Sequence, residues 1–180
     1  LESTRSDAVV AMAELDALYA GRVQTIASNA YEIEQAAIHA DMVIGSVLIP
    51  GAKAPKLVRR EDLKRMKNGS VIVDVAIDQG GCFENSRPTT HDAPTFKVHN
   101  STYYCVANMP GAVPATSTRA LTNATLPYVV AIADKGWKAA LQSDDALAKG
   151  LNVIDGKVVY AGVQQAFADL PKTDLAAVLA

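Results

Sequence analysis

Cysteine is scarce here, two residues in 180, and the chain has neither a basic block nor a long apolar run. Each shortage removes a class. A net charge of -2 without clustered lysine or arginine gives no electrostatic footprint for nucleic acid. The apolar runs are too short to cross a bilayer, so no membrane partner is expected. No basic start followed by an apolar stretch marks a secretory signal. Cys82 and Cys105 sit in apolar or glycine-rich surroundings, and the default expectation is a reduced, cytoplasmic pair. No Cys/His cluster has ligand spacing, so no metal is expected. The chain also lacks the G-x-G-x-x-G turn of a dinucleotide domain and the lysine-bearing phosphate loop.

With 49% hydrophobic and 20% charged residues, the composition is that of a globular protein. The organising stretch is Ser70–Glu84, SVIVDVAIDQGGCFE. Val71–Val73 and Val75–Ile77 are apolar around Asp74, and Gly80-Gly81 ends the run. A strand buried on both faces is predicted, with Asn68-Gly69 as the turn before it. Asp78 then falls where the strand stops. In open α/β sheets ligands bind beyond the carboxyl ends of strands, so a carboxylate there is placed to work on a substrate. An aspartate that merely forms the turn is the alternative.

The rest alternates in kind. Ala8–Tyr19 has helical spacing, with Gly21 as its stop, and Val23–Ile26 reads as a short strand. Asn29 and Glu32 have capping-box spacing for the next helix, and His39 near its end reads as a surface imidazole. Met42–Val47 is predicted as a second strand buried on both faces. A Pro/Gly loop follows, in which Lys53 or Lys56 is either a phosphate contact or an ordinary solvated lysine. Glu61–Met66 is a short helix. Residues 83–100 read as loop, with Arg87 as a salt-bridge or anion-contact residue. Thr102–Val106 is the last strand of the series. Strand ends at Val47, Asp78 and Val106, each followed by polar or Pro/Gly residues, make one rim if the strands are parallel neighbours. After Pro114 the texture changes. Thr116, Ser117 and Thr118 offer caps to a helical region over Arg119–Leu141, which Pro127 should kink or divide, with Trp137 as a packing residue. Asp155-Gly156 marks a two-residue hairpin turn, and Gly162–Ala168 a further helical turn or two.

Four runs in this order and spacing resemble the C-terminal half of bacterial L-alanine dehydrogenases: VIGSVLIPGAKAPKLV, VIVDVAIDQGGCFE, SRPTTHDAPTF and YYCVANMPGAVPATSTRALTNATLPY. The resemblance covers about residues 13 to 180. It implies an α/β fold: a partial Rossmann-type, doubly wound parallel sheet over residues 1–114, then a helical and hairpin segment, 115–180, of a second, catalytic domain. It implies NAD as cofactor, and L-alanine, pyruvate and ammonia as substrates and products. It also implies a cytoplasmic homo-oligomer, a hexamer in the family. Asp78 matches the family's catalytic aspartate. Val75, Ala76, Ile77 and Asp78 match cofactor contacts, as do Val47 and Leu48 at one rim and Val106, Ala107, Asn108 and Met109 at another. Ser28 matches a contact on the adenosine side, and Arg87 also falls at a cofactor position. The family's glycine-rich loop and its substrate-holding histidine and lysine have no counterpart here, and none of His39, His91 or His99 fits that histidine. The ribose-holding acid would fall near Ser6, and Glu2 and Asp7 are out of register. The expectation is therefore a truncated form, inactive alone. The nucleotide-binding part of a proton-translocating transhydrogenase and a non-catalytic fragment needing a partner chain are the alternatives.

Overall fold

The computed structural model describes residues 5–47, 49 and 53–180. In chain order the elements are α1 (Arg5–Tyr19), α2 (Ala30–His39), β1 (Met42–Gly45), α3 (Arg60–Leu63), β2 (Val71–Asp74), a 3-10 turn (Val75–Gln79), β3 (Thr95–Val98) and β4 (Ser101–Tyr104). A second 3-10 turn (Met109–Ala112) leads to α4 (Pro114–Lys135), α5 (Trp137–Ser143), α6 (Asp145–Ala148), the hairpin β5 (Val153–Ile154) and β6 (Lys157–Val158), α7 (Ala161–Ala166) and α8 (Leu175–Leu179).

The main sheet has the order β1-β2-β4-β3. β1, β2 and β4 are parallel, with Ile44 opposite Val73 and Val73 opposite Tyr104. Their carboxyl ends therefore share one edge, as the alternation of strand and helix requires. β3 pairs antiparallel with β4 through the two-residue turn His99-Asn100, where His99 has φ 53. Ile72 and Tyr103 are fully buried at the centre of the sheet. Tyr103 stacks on Phe96 at 5.1 Å and meets Phe83 edge-on at 6.4 Å, geometries that aromatic quadrupoles favour. On one face α2 and α3 are tied by charge: Arg59 and Arg65 both reach Glu34 and Asp62, at 2.6 to 3.4 Å.

Several expectations need correction. The central strand stops at Asp74, and Val75–Gln79 coils into a 3-10 turn instead. The buried Asp74 carboxyl draws the following loop back onto itself, so the run cannot stay extended. β1 ends at Gly45 and is not covered on both faces: Met42 and Ile44 are 54% and 62% exposed, because among the described residues β1 is an edge strand with one face largely open. Val23–Ile26 forms no strand; it has no ladder partner among the described residues. Residues 83–100 are not all loop, since Thr95–Val98 is β3, whose short polar-apolar alternation is easily masked by Pro94 and the histidines. The first helix begins at Arg5 rather than Ala8. The long helix begins at Pro114, so Thr116–Thr118 lie in its first turns rather than capping it, and Ser117 Oγ donates instead to Pro110 O at 2.8 Å. Pro127 does not divide it. The division comes at Gly136, whose φ of 76 a helix cannot accommodate. Trp137 opens the next helix and is 42% exposed rather than packed away.

Other expectations hold. Asn29 caps α2, its Oδ1 accepting from Glu32 N–H at 3.0 Å, and His39 is exposed in the last turn. Asp155 and Gly156, at φ 47 and 73, form the turn of the β5–β6 hairpin. As a separate observation, no helix among the described residues is long and apolar enough to cross a membrane, and among those residues no group of three His, Cys, Asp or Glu is arranged to hold a metal ion.

Gly45 ends β1 against the Cys82 sulfur and the Phe83 ring, so a Cβ there would overlap both, with the ring at 2.7 Å. Both neighbours are buried and cannot retreat. Gly45→Ala should destabilise the chain by about 1–3 kcal/mol, the usual cost of overpacking a close-packed interior. Urea denaturation checks this; an unchanged midpoint would mean the contact is soft.

Candidate functional site

The common edge of β1 and β2 opens into a cleft of about 330 Å³. Ser46 and Val47 line it from the end of β1, and Val75, Ala76, Asp78 and Gln79 from the turn after β2. Three of the six lining residues, Val47, Val75 and Ala76, are apolar and three are polar, the usual make-up of a small-molecule site. Asp78 is exposed to solvent and its neighbour Ile77 is buried in the core, so the tight turn separates the two and directs the carboxyl side chain outward.

What fixes that turn lies one residue before it. Asp74 is fully buried. Its Oδ2 accepts from Cys82 N–H at 3.0 Å and from the Ser86 hydroxyl, and Oδ1 accepts from Cys82 Sγ at 3.5 Å. A buried carboxylate needs such partners, and those partners here are the loop itself. Gly81 passes so close that a Cβ would lie 2.6 Å from Asp74 Oδ2, and its φ is 73, so only glycine fits. The loop after β4 is stitched similarly: Thr89 N–H donates to Cys105 O at 2.9 Å and Ala107 N–H to Thr89 O at 3.2 Å.

The structure gathers part of the expected residue set. Val47, Val75, Ala76 and Asp78 line the cleft together. Ile77 and Val106 are buried, 3% and 2% exposed, so their side chains belong to the core and only their backbone faces the edge. Ala107, Asn108 and Met109 follow β4 on the same edge without lining the cleft; Asn108 O is bonded to His91 Nε2 at 2.8 Å. Ser28 is exposed just before α2, also off the cleft, and Leu48 lies outside the described residues. Among the described residues Arg87 has no ion-pair partner, and it does not line the cleft. Its guanidinium lies 4.2 Å from the centroid of the Phe96 ring, a cation–π contact. Lys56 is no free cation either, since its Nζ donates to Gly80 O and Gly81 O. Sequence reasoning missed Ser46 and Gln79 as lining residues. It also missed Asp74 as anchor, although an acid inside an apolar strand was the available signal.

The parallel edge, the cleft at it and the buried carboxylate that shapes it define a Rossmann-type α/β protein. The family model described as "Alanine dehydrogenase/PNT, C-terminal domain" matches residues 6–161, and the chain belongs to that family. The match starts at residue 6, ahead of residue 13, from which the sequence resemblance runs. The chain is 61% identical over 166 residues to an alanine dehydrogenase of Mycolicibacterium smegmatis, covering 92% of this chain and 44% of that protein. It is 58% identical over 167 residues to one of Mycobacterium tuberculosis, covering 93% and 45%. The chain thus spans under half the length of these curated relatives. A solved L-alanine dehydrogenase superposes with a TM-score of 0.74 at 53% identity, over 89% of this chain and 44% of that one. A transhydrogenase from Sinorhizobium meliloti gives 0.50 at 31%, over 58% and 30%.

Both cysteines are fully buried. Burial first, and then the Asp74 carboxylate beside it, pushes the Cys82 thiol up to about 12; burial also raises that of Cys105. The thiolate is the reactive form, so both should resist iodoacetamide at about pH 8 in the native chain and react once it is denatured. Mass spectrometry reads this; rapid native alkylation of Cys82 would show that the Asp74 loop opens freely.

Proposed function

We propose that this chain is the part of an NAD-dependent L-alanine dehydrogenase that supplies the acidic catalytic group and one side of the cofactor site. The observation that carries the reading is the exposed Asp78 on an apolar cleft at the carboxyl ends of two parallel strands. The family membership gives that geometry a chemistry. Residues 1–114 act as the nucleotide-binding unit and 115–180 as a piece of the catalytic domain. In support, the last strand of the main sheet among the described residues ends at Tyr104 and α4 starts at Pro114.

The residues present fit one end of NAD. Val47, Val75 and Ala76 offer an apolar wall for a ring face, and Ser46 and Gln79 offer polar groups at its edge. The backbone of Ile77 and of Val106–Met109 lies along the same rim, with Ser28 on the adenosine side and Leu48 and Arg87 further cofactor positions by family resemblance. Bound NAD supplies the hydride acceptor. The protein's task is then proton handling. Oxidative deamination adds water to an imine carbon and releases ammonia from the resulting carbinolamine. The Asp78 carboxylate would take a proton from the attacking water, return it to the departing nitrogen, and accept the carbinolamine O–H proton as the C–N bond breaks and the carbonyl forms.

L-alanine, pyruvate and ammonia are the substrates in this reading, and the setting is the cytoplasm, which suits two free buried thiols. A homo-oligomer, hexameric by family resemblance, completes it. Leu121, Leu126, Val129 and Val130 on α4 are all exposed and offer apolar surface that an assembly would cover. The transhydrogenase reading shares the family model, but the dehydrogenase likeness is the stronger in identity and in coverage.

The test joins this chain to the N-terminal half of the M. smegmatis relative and follows L-alanine-dependent NADH formation. Turnover is expected in the joined chain and none in the 180-residue chain alone. Asp78→Asn should lower kcat by about 10²–10⁴-fold, the range for losing a positioned acid–base group. Turnover retained in Asp78→Asn would remove the residue from the mechanism.

A further inference from the structure

Two loops run side by side behind Asp78. Ala54 N–H donates to Gln79 O at 3.2 Å, Leu57 N–H to Cys82 O at 2.8 Å, and Glu84 N–H to Val58 O at 3.1 Å. Val58 and Phe83 form a parallel bridge in this short ladder. The ladder has a gap. Pro55 carries no N–H to donate, so the backbone passes over the carbonyls of Gly80 and Gly81. Lys56 fills the gap with its side chain, Nζ lying 2.6 Å from Gly80 O and 2.7 Å from Gly81 O.

The site of this clamp matters. Gly80 and Gly81, at φ 86 and 73, are successive left-handed residues and the most permissive backbone in the loop. They are also bonded to the turn that bears Asp78: Gly80 N–H donates to Ile77 O and Gly81 N–H to Ala76 O, both at 3.0 Å. Asp74 holds the far side of the glycine pair through Cys82 and Ser86. On the near side the charged donor is Lys56, and bonds from an ionised donor are stronger than neutral ones.

We propose that Lys56 is a positioning residue for Asp78. Its ammonium fixes the two glycine carbonyls, and through them sets where the 3-10 turn holds the Asp78 carboxyl in the cleft. The catalytic part of this rests on the role given to Asp78 above; the anchoring part does not. Two of the three ammonium N–H groups are used in the clamp, so the loop is the partner the ammonium serves in this structure.

Hydrogen exchange on the 180-residue chain reads the anchoring without cofactor. In Lys56→Met, amides within 79–84 should exchange about tenfold faster, while those of Ser101–Tyr104 stay within about twofold, since local opening is independent of the core ladder. Lys56→Arg should retain protection, because a guanidinium fork can span both carbonyls. In the joined chain Lys56→Met should lower kcat about tenfold and leave KM for L-alanine within about twofold, as expected for a displaced catalytic group. Lys56→Arg should recover most of that loss. Unchanged exchange at 79–84 in Lys56→Met overturns the proposal, and so does faster exchange everywhere, which would make Lys56 a general stabiliser. Faster local exchange with unchanged kcat also overturns it. Failure of the Asp78 reading shows separately, as activity that survives Asp78→Asn.

Discussion

A buried carboxylate at the end of the central strand is the constraint on which the site depends. Asp74 has no access to water and must find donors in the chain that follows it. Cys82 and Ser86 supply them, and the chain can reach only by turning sharply after β2. That reversal creates the 3-10 turn, puts Ile77 into the core and leaves Asp78 outside. Removing the Asp74 partner set would leave its buried oxygens without donors, which is costly, so the turn is tied to this acid. The cleft is thus a by-product of satisfying one acid.

The surroundings share this logic of enforced approach. Gly45 and Gly81 let the β1 end and the returning loop come within contact of Phe83 and Asp74. Phe83 in turn packs edge-on against Tyr103, which ties the loop to the centre of the sheet. The apolar wall of the cleft and the core behind it are consecutive residues: Val75 is exposed, Ala76 is buried yet lines the cleft, and Ile77 packs into the core.

Much of this was legible in the residues. The parallel alternation, the strand at Val71, the position of Asp78 beyond its carboxyl end and the Asp155-Gly156 hairpin all follow from short-range rules of periodicity and turn chemistry. The errors lie where a distant partner decides. Val75–Ile77 has the β-branched texture of a strand, and only the demand of Asp74 for Cys82 and Ser86 coils it. Met42 and Ile44 read as doubly buried because β-branched and apolar residues do not announce which strand is at an edge. The antiparallel β3 was hidden between Pro94 and His99, and Gly136 rather than Pro127 breaks the long helix. Lys56 could not be placed at all, because its partners are carbonyls 24 and 25 residues away.

The most direct measurement is a methyl NMR titration of the chain with NAD. The account expects saturable shifts at Val47, Val75 and Ala76, the apolar lining of the cleft, with Leu147 and Ile154 in the separate C-terminal hollow unmoved. Shifts confined to that hollow, or no saturable change at the three cleft residues, would contradict it.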